Sequence, residues 1–239
     1  MLLCLDIGNT SIVVCEYDNS IINSFRIDTS NNIKKEDFLT NLKSSIVDDI
    51  IISSVVPSIN ELISNILYSI YNKKPIFVSV EMNTNINILI DNPKELGSDL
   101  LIAGVAASKR KGNYLIIDMG TATKFLVVKG NDFLGGAIAP GLMTSFEVLF
   151  KEAELLEKIE LVTPKKIVGT STVECIQSGY IVGFVSMIEK MVEKIQKEVG
   201  DLNVILTGGN AIFVKESLSY EYCPYLLIDG LVEVYNLNK

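Results

Sequence analysis

Histidine is absent from this chain of 239 residues, and so is tryptophan. Without an imidazole there is no Ser-His-Asp or Cys-His machinery and no histidine-ligated metal, so a general base is most economically a carboxylate. Cysteine is scarce. Cys4, Cys15, Cys175 and Cys223 stand far apart with no C-x-x-C spacing. They read as reduced structural thiols in a reducing compartment. Positive charge is in deficit, 21 Lys and Arg against 29 Asp and Glu, giving a net charge of −8. That balance speaks against a nucleic-acid partner, which needs a basic surface, but leaves small anionic substrates open. No run of about 18 apolar residues is present to span a bilayer. The first residues reach Asp6 without a basic segment of the kind that opens a secretory signal. The expectation is a cytoplasmic protein with no membrane partner.

What the chain does have is a normal globular composition, with 48% hydrophobic and 21% charged residues and no low-complexity tract. Its length suits one large domain or two of about 100 to 150 residues. A repeated stretch favours two. Leu3-Cys4-Leu5-Asp6-Ile7-Gly8-Asn9-Thr10 reads as a buried strand ending in one carboxylate and a tight turn of small residues. The same pattern returns at Leu115-Ile116-Ile117-Asp118-Met119-Gly120-Thr121-Ala122, 112 residues later. Each copy runs on into a β-rich segment with a second turn, near Asp18-Asn19-Ser20 and Gly130-Asn131-Asp132. Facing one another across a cleft, two such turns would offer backbone N–H groups to phosphate oxygens while their carboxylates hold Mg²⁺. The spacing predicts a nucleotide phosphate site in an α/β protein of two halves, 1–112 and 113–239.

In chain order, strands are predicted over 2–7, 11–17 and 20–27, then a helix over 34–47 carrying Phe38, Leu39, Leu42 and Ile46 at helical spacing. A β-branched run at 50–56 is stopped by Pro57, and a helix fits 58–71. A strand over 76–80, a polar connection over 83–92 and a helix over 97–109 complete the first half. The second half repeats the meander over 114–138. Helices follow near 142–154 and over 172–199, with Gly179 and Gly183 expected on the inner face of the latter. The strand 204–207 runs into Gly208-Gly209, where missing side chains would admit the adenine or ribose of a nucleotide. A short helix over 229–236 closes the chain.

Six motif blocks in order carry a resemblance over nearly the full length: Asp6 to Thr10, Asn92-Pro93 before Gly97-Ser98-Asp99, Asp118 to Thr123, Gly135 to Gly141, Gly169 to Thr172 before Gln177-Ser178-Gly179, and Thr207-Gly208-Gly209. The chain resembles type III pantothenate kinases. These share with acetate and sugar kinases, the Hsp70 ATPase domain and actin a fold of two duplicated RNase H-like domains with mixed five-stranded sheets flanked by helices. The resemblance implies ATP-dependent phosphorylation of the 4′ hydroxyl of pantothenate, the first step of coenzyme A biosynthesis, in a homodimer. It implies Asp6 and Asp118 at the metal and phosphates, and Gly8, Asn9, Thr10, Gly120 and Thr121 along the phosphate cradle. Asp99 is implied as the general base within a substrate-binding stretch Gly97-Ser98-Asp99, and Thr172 as a pantothenate contact from the neighbouring subunit. By spacing alone, an Asp at that point of a helix is a cap; only the resemblance makes Asp99 a base.

The departures from the family pattern are specific. Leu100 stands where an arginine helps hold pantothenate, and a tyrosine usual before the Asn-Pro pair is replaced near Ile90. Losing one charge-assisted hydrogen bond costs about 1.5 to 3 kcal/mol of binding. Leu126 stands where an aspartate helps bind K⁺, so that site is expected to be weak or absent, with the Lys124 ammonium as a substitute charge. Two alternatives follow: a kinase of a different small hydroxy substrate, or a nucleotide-binding regulatory protein of the same fold without turnover.

Overall fold

The structure is a computed structural model describing residues 1–239. The chain divides into two compact units, Met1–Arg110 with Leu226–Lys239, and Lys111–Tyr225.

The first unit opens with a meander of β1 (Leu2–Ile7), β2 (Ser11–Tyr17) and β3 (Ile21–Asp28), followed by α1 (Lys35–Leu39), β4 (Asp49–Ser54), α2 (Asn60–Tyr71), β5 (Ile76–Phe77), β6 (Asn87–Ile88) and α3 (Ser98–Lys109). Its sheet has the order β3-β2-β1-β4-β5, antiparallel within the meander and parallel from β1 through β4 to β5. Leu3, Leu5 and Ile7, at the period of two that a strand imposes, enter the core with Phe38, Ile63 and Leu67. Leu2 and Cys4 on the opposite face are buried too. A strand covered on both sides needs a continuous apolar run, and β1 has one until Asp6.

The second unit comprises β7 (Asn113–Met119), β8 (Ala122–Lys129), β9 (Asp132–Pro140), α4 (Leu142–Glu152), α5 (Thr172–Val199), β10 (Asn203–Thr207) and β11 (Glu221–Tyr222). Here β9-β8-β7-β10-β11 reproduces the first sheet strand for strand and direction for direction. The duplication extends to its irregularities. The ladder slips between Glu16 and Tyr17 in one copy and between Val127 and Val128 in the other. Asn19 and Gly130, both with φ of 58°, take the same place in the following turn. Beyond the first turn the offset falls from 112 to 111, because residues 8–11 join Ile7 to Ile12 whereas only 120–122 join Met119 to Thr123.

Several expected elements come out differently. The helix predicted over 34–47 stops at Leu39. The N–H groups of Lys43 and Ser44 bond to the Glu16 carboxylate, 3.0 and 2.8 Å away, instead of continuing a helical ladder. The strand expected over 76–80 is regular only at 76–77. Gly179 and Gly183 face outward, with open space where a Cβ would stand, not inward. The closing helix α6 (Leu226–Leu237) belongs to the first unit, so the half expected over 113–239 ends at Tyr225. Its Gly230 lies against α3 so closely that a Cβ there would be 2.0 Å from the Ile102 carbonyl oxygen. Tyr235 also donates to Asp49 Oδ2 at 2.5 Å.

Candidate active site

In the first unit, the candidate residues gather at the carboxyl ends of β1 and β4, the edge of a parallel sheet where ligands ordinarily bind. Asp6 ends β1, with Val13 and Ser53 directly beside it on β2 and β4. Ser53 Oγ lies 3.0 Å from Ser98 Oγ at the start of α3. Ser98 Oγ also accepts from the Ser54 N–H at 2.9 Å and donates to the Ser54 carbonyl at 3.0 Å. The hydroxyl expected to touch substrate is thus used to fasten the helix to the sheet.

Asp99 follows in the first turn of α3, where N–H groups and the positive end of the helix dipole favour a carboxylate. Its Oδ1 accepts from the Leu100 N–H at 2.8 Å. Gly97 is glycine for this carboxylate: a Cβ there would come within 2.6 Å of Asp99 Oδ1. Asn92 caps the preceding turn by accepting from the Lys94 N–H at 3.3 Å.

The two turns are held by their carbonyls. Gly8 O accepts from Thr29 Oγ1 at 2.7 Å, and Thr10 O from the Thr29 N–H at 3.1 Å. In the second unit Gly120 O accepts from Asn210 Nδ2 at 2.8 Å. Thr121 O accepts from the Gly141 N–H at 3.1 Å and from Thr144 Oγ1 at 2.8 Å. In a trans peptide the N–H points opposite to the carbonyl before it, so the amides of Asn9 and Thr121 are directed away from these anchors. Gly8 and Gly120 contribute otherwise. Their own N–H groups close the hairpins, donating to Ser11 O at 3.1 Å and Ala122 O at 3.0 Å. Thr29, Thr144 and Asn210 were not among the expected residues; nothing in their spacing marks them, because their bonds are tertiary.

Asp118 ends β7 in a different setting from Asp6. Lys124, directly opposite on β8, places Nζ 2.9 Å from Asp118 Oδ2, with the two side chains 18% and 8% exposed. Gly208, with φ of 89°, ends β10 against the same residue: a Cβ would stand 2.6 Å from Asp118 Oδ1 and from the Met119 backbone. Its bare Cα is required by the chain itself, where the expectation was room for a base. Gly209 is exposed and opens the 3₁₀ turn Gly209–Phe213. Leu126 is buried between Ile116 and Gly136 and brings no oxygen ligand.

Thr172 is the exposed first residue of α5. The preceding loop is fixed to that helix by Ser171 Oγ, which accepts from the Glu174 N–H at 3.2 Å, and by Glu174 Oε2, which accepts from the Thr170 N–H at 2.8 Å. Gly169 fits because a Cβ would lie 2.6 Å from the Cys175 nitrogen.

Two sheets, of five and six strands, that share one five-strand order and each end the first strand in Asp-x-Gly define an actin-like ATPase fold. MreB 5 of Spiroplasma citri, solved with AMPPNP, shares that fold: TM-score 0.51 at 8% identity, covering 96% of this chain and 94% of its own. A conserved candidate Baf family transcriptional activator from Campylobacter jejuni aligns over 98% of this chain and 97% of its own, with TM-score 0.61 and 18% identity. At those identities the likeness is one of fold alone. In sequence, the profile of the type III pantothenate kinases matches residues 2–194. The type III pantothenate kinase of Exiguobacterium sibiricum is 32% identical over 253 aligned residues that span 100% of both proteins. This chain belongs to the type III pantothenate kinase family.

Proposed function

We propose that the protein transfers the γ-phosphoryl group of ATP to the 4′ hydroxyl of pantothenate, the first step of coenzyme A synthesis. Family membership supports the reaction. The observation that carries its assignment to residues is the bonded run at one sheet edge: Asp6 beside Ser53, Ser53 to Ser98, and Ser98 next to Asp99.

Phosphoryl transfer demands mainly positioning and charge neutralisation. Asp99 accepts the proton of the attacking hydroxyl. Ser98 acts through Asp99: by tying α3 to Ser54 it fixes where that carboxylate stands. The amides of Asn9 and Thr121, turned outward by their anchored carbonyls, bind phosphate oxygens.

The divalent ion that accompanies ATP is Mg²⁺, which takes one or two carboxylates and completes its shell with water and phosphate oxygens. Asp6, the strand-end carboxylate of the first repeat, would be a protein ligand of that ion. Bound there, the ion would neutralise phosphate charge. The nucleoside end of ATP lies toward the exposed Gly209, with Gly208 shaping the backbone before it.

Pantothenate contacts are Asp99 and, from a second copy of the chain, Thr172. A homodimer is supported by the apolar surface beside Thr172, where Ile167 and Val168 are 71% and 79% exposed. No helix is long and apolar enough to cross a membrane, and a cytoplasmic location is proposed from the reaction and the free thiols of all four cysteines.

Protein incubated with ATP, Mg²⁺ and pantothenate should release ADP. Asp99→Asn should lower that rate by about 10²- to 10⁴-fold while ATP still binds. ATP binding without ADP release from the unsubstituted protein would refute the kinase and favour a regulatory role.

A further inference from the structure

We propose that Arg26, on β3, binds phosphate oxygens of ATP at the turn that follows Asp6. This rests on the ATP-kinase reading and deepens it by naming a cationic contact for the nucleotide within the first unit.

Arginine is rare in the chain, which has only Arg26 and Arg110. Arg110 caps α3 at the end opposite to Asp99. Arg26 instead lies in the row of residues that contains Asp6. Directly opposed residues share a face of the sheet, and the register sets Ser53, Asp6, Val13 and Arg26 side by side across β4, β1, β2 and β3. The other three are acidic or neutral, so Arg26 is the positive member of that row.

The side chain also leans toward the turn. Arg26 stands opposite Val13, yet its Nη1 donates at 3.2 Å to Ser11 Oγ, two residues nearer the turn on the same face. Ser11 closes that turn, its carbonyl accepting from the Gly8 N–H at 3.1 Å. Three residues past Arg26, Thr29 holds the carbonyls of Gly8 and Thr10. The same stretch of chain therefore fastens the turn through Thr29 and sets a guanidinium beside it.

A guanidinium carries five N–H donors in a planar fork that can meet two phosphate oxygens at once. Ser11 fixes the fork through one of them, and Arg26 is exposed to an incoming ligand. Order within the row decides which ligand that is. Ser98 and Asp99 join from the Ser53 side, and Arg26 lies on the far side of Asp6. Its partner is accordingly the nucleotide phosphate, and not the carboxylate of the acceptor.

Calorimetry, kinetics and arginine-specific labelling test this. Arg26→Gln should weaken ATP binding by about 10- to 100-fold, and Arg26→Lys, which keeps the charge but loses the fork, by less. Binding of adenosine, which has no phosphate, should stay within about twofold, as should KM for pantothenate. Phenylglyoxal should modify Arg26 in the unsubstituted protein, and saturating Mg·ATP should protect it, a comparison that needs no variant to fold. Unchanged ATP affinity in Arg26→Gln, an equal loss of adenosine binding, or labelling of Arg26 untouched by ATP overturns the proposal. A rise in KM confined to pantothenate also overturns it and assigns Arg26 to the acceptor carboxylate. If the unsubstituted protein binds ATP without releasing ADP, the kinase reading fails instead, and the affinity and protection results still decide the role of Arg26.

Discussion

Glu16 lies on β2 at a position whose counterpart in the second repeat is Val127, yet it is a fully buried carboxylate. It receives three donors: Oε2 accepts from Asn23 Nδ2 at 2.6 Å and the Lys43 N–H at 3.0 Å, and Oε1 from the Ser44 N–H at 2.8 Å. Glu16→Gln keeps the shape and removes the charge. A glutamine carbonyl can serve two of the donors, while its NH₂ group must face the third. One buried donor left unsatisfied costs about 1 to 3 kcal/mol, and losing charge assistance at the other two bonds costs about 1 kcal/mol each. The expected destabilisation is therefore about 3 to 5 kcal/mol, or a drop of roughly 6 to 20 °C in Tm for a chain of this length. Urea unfolding at pH 7 measures it directly.

The pH dependence is a second check on the same residue. Burial pushes the Glu16 carboxyl up, but the hydrogen bonds from Lys43, Asn23 and Ser44 together outweigh it and hold the pKa below the ordinary value. A depressed folded-state pKa gives stability that is present above the unfolded value, about 4.3, and lost as pH falls through the folded one. The gap between parent and Glu16→Gln should thus be full at neutral pH and narrow in acid below that range. A change under about 1 kcal/mol at pH 7, or a gap that widens in acid, would refute the assignment of Glu16 as the anchor of residues 40–48.

Two further outcomes follow from local geometry. Gly208→Ala places a methyl group 2.6 Å from Asp118 Oδ1 at a φ of 89°, so it should cost about 1 to 3 kcal/mol of stability and weaken ATP binding, measured by calorimetry; unchanged stability and affinity would contradict the close contact. Burial pushes the Cys15 thiol up to about 12 despite Arg26, and burial with Cys15 nearby raises Cys4, whereas Cys175 is exposed. A thiol reagent at pH 8 should therefore modify Cys175 in the folded protein and reach Cys4 and Cys15 only on unfolding, as peptide mass mapping would register.

The duplication was readable because it is written in local terms. Asp6 and Asp118 each end an apolar run before Gly and small residues, and strand period and turn chemistry act on neighbouring residues. The same locality explains why the meanders, α2, α3 and α5 were found near their observed limits. What failed depended on partners remote in sequence. The helix predicted over 34–47 has adequate spacing, but Glu16, 27 residues before Lys43, takes the amides it would need.

The sequence by itself determined the repeat, the family and the identity of the carboxylates, since each is carried by the order of residue types along the chain. Only the tertiary structure decided what those carboxylates touch. Asp118 meets Lys124 and Gly208, Ser98 spends its hydroxyl on β4, and α6 joins the first unit through Gly230. The physical reason is that hydrogen bonds, ion pairs and close backbone contacts act over about 3 Å in space, and separation along the chain does not record which distant groups come that near.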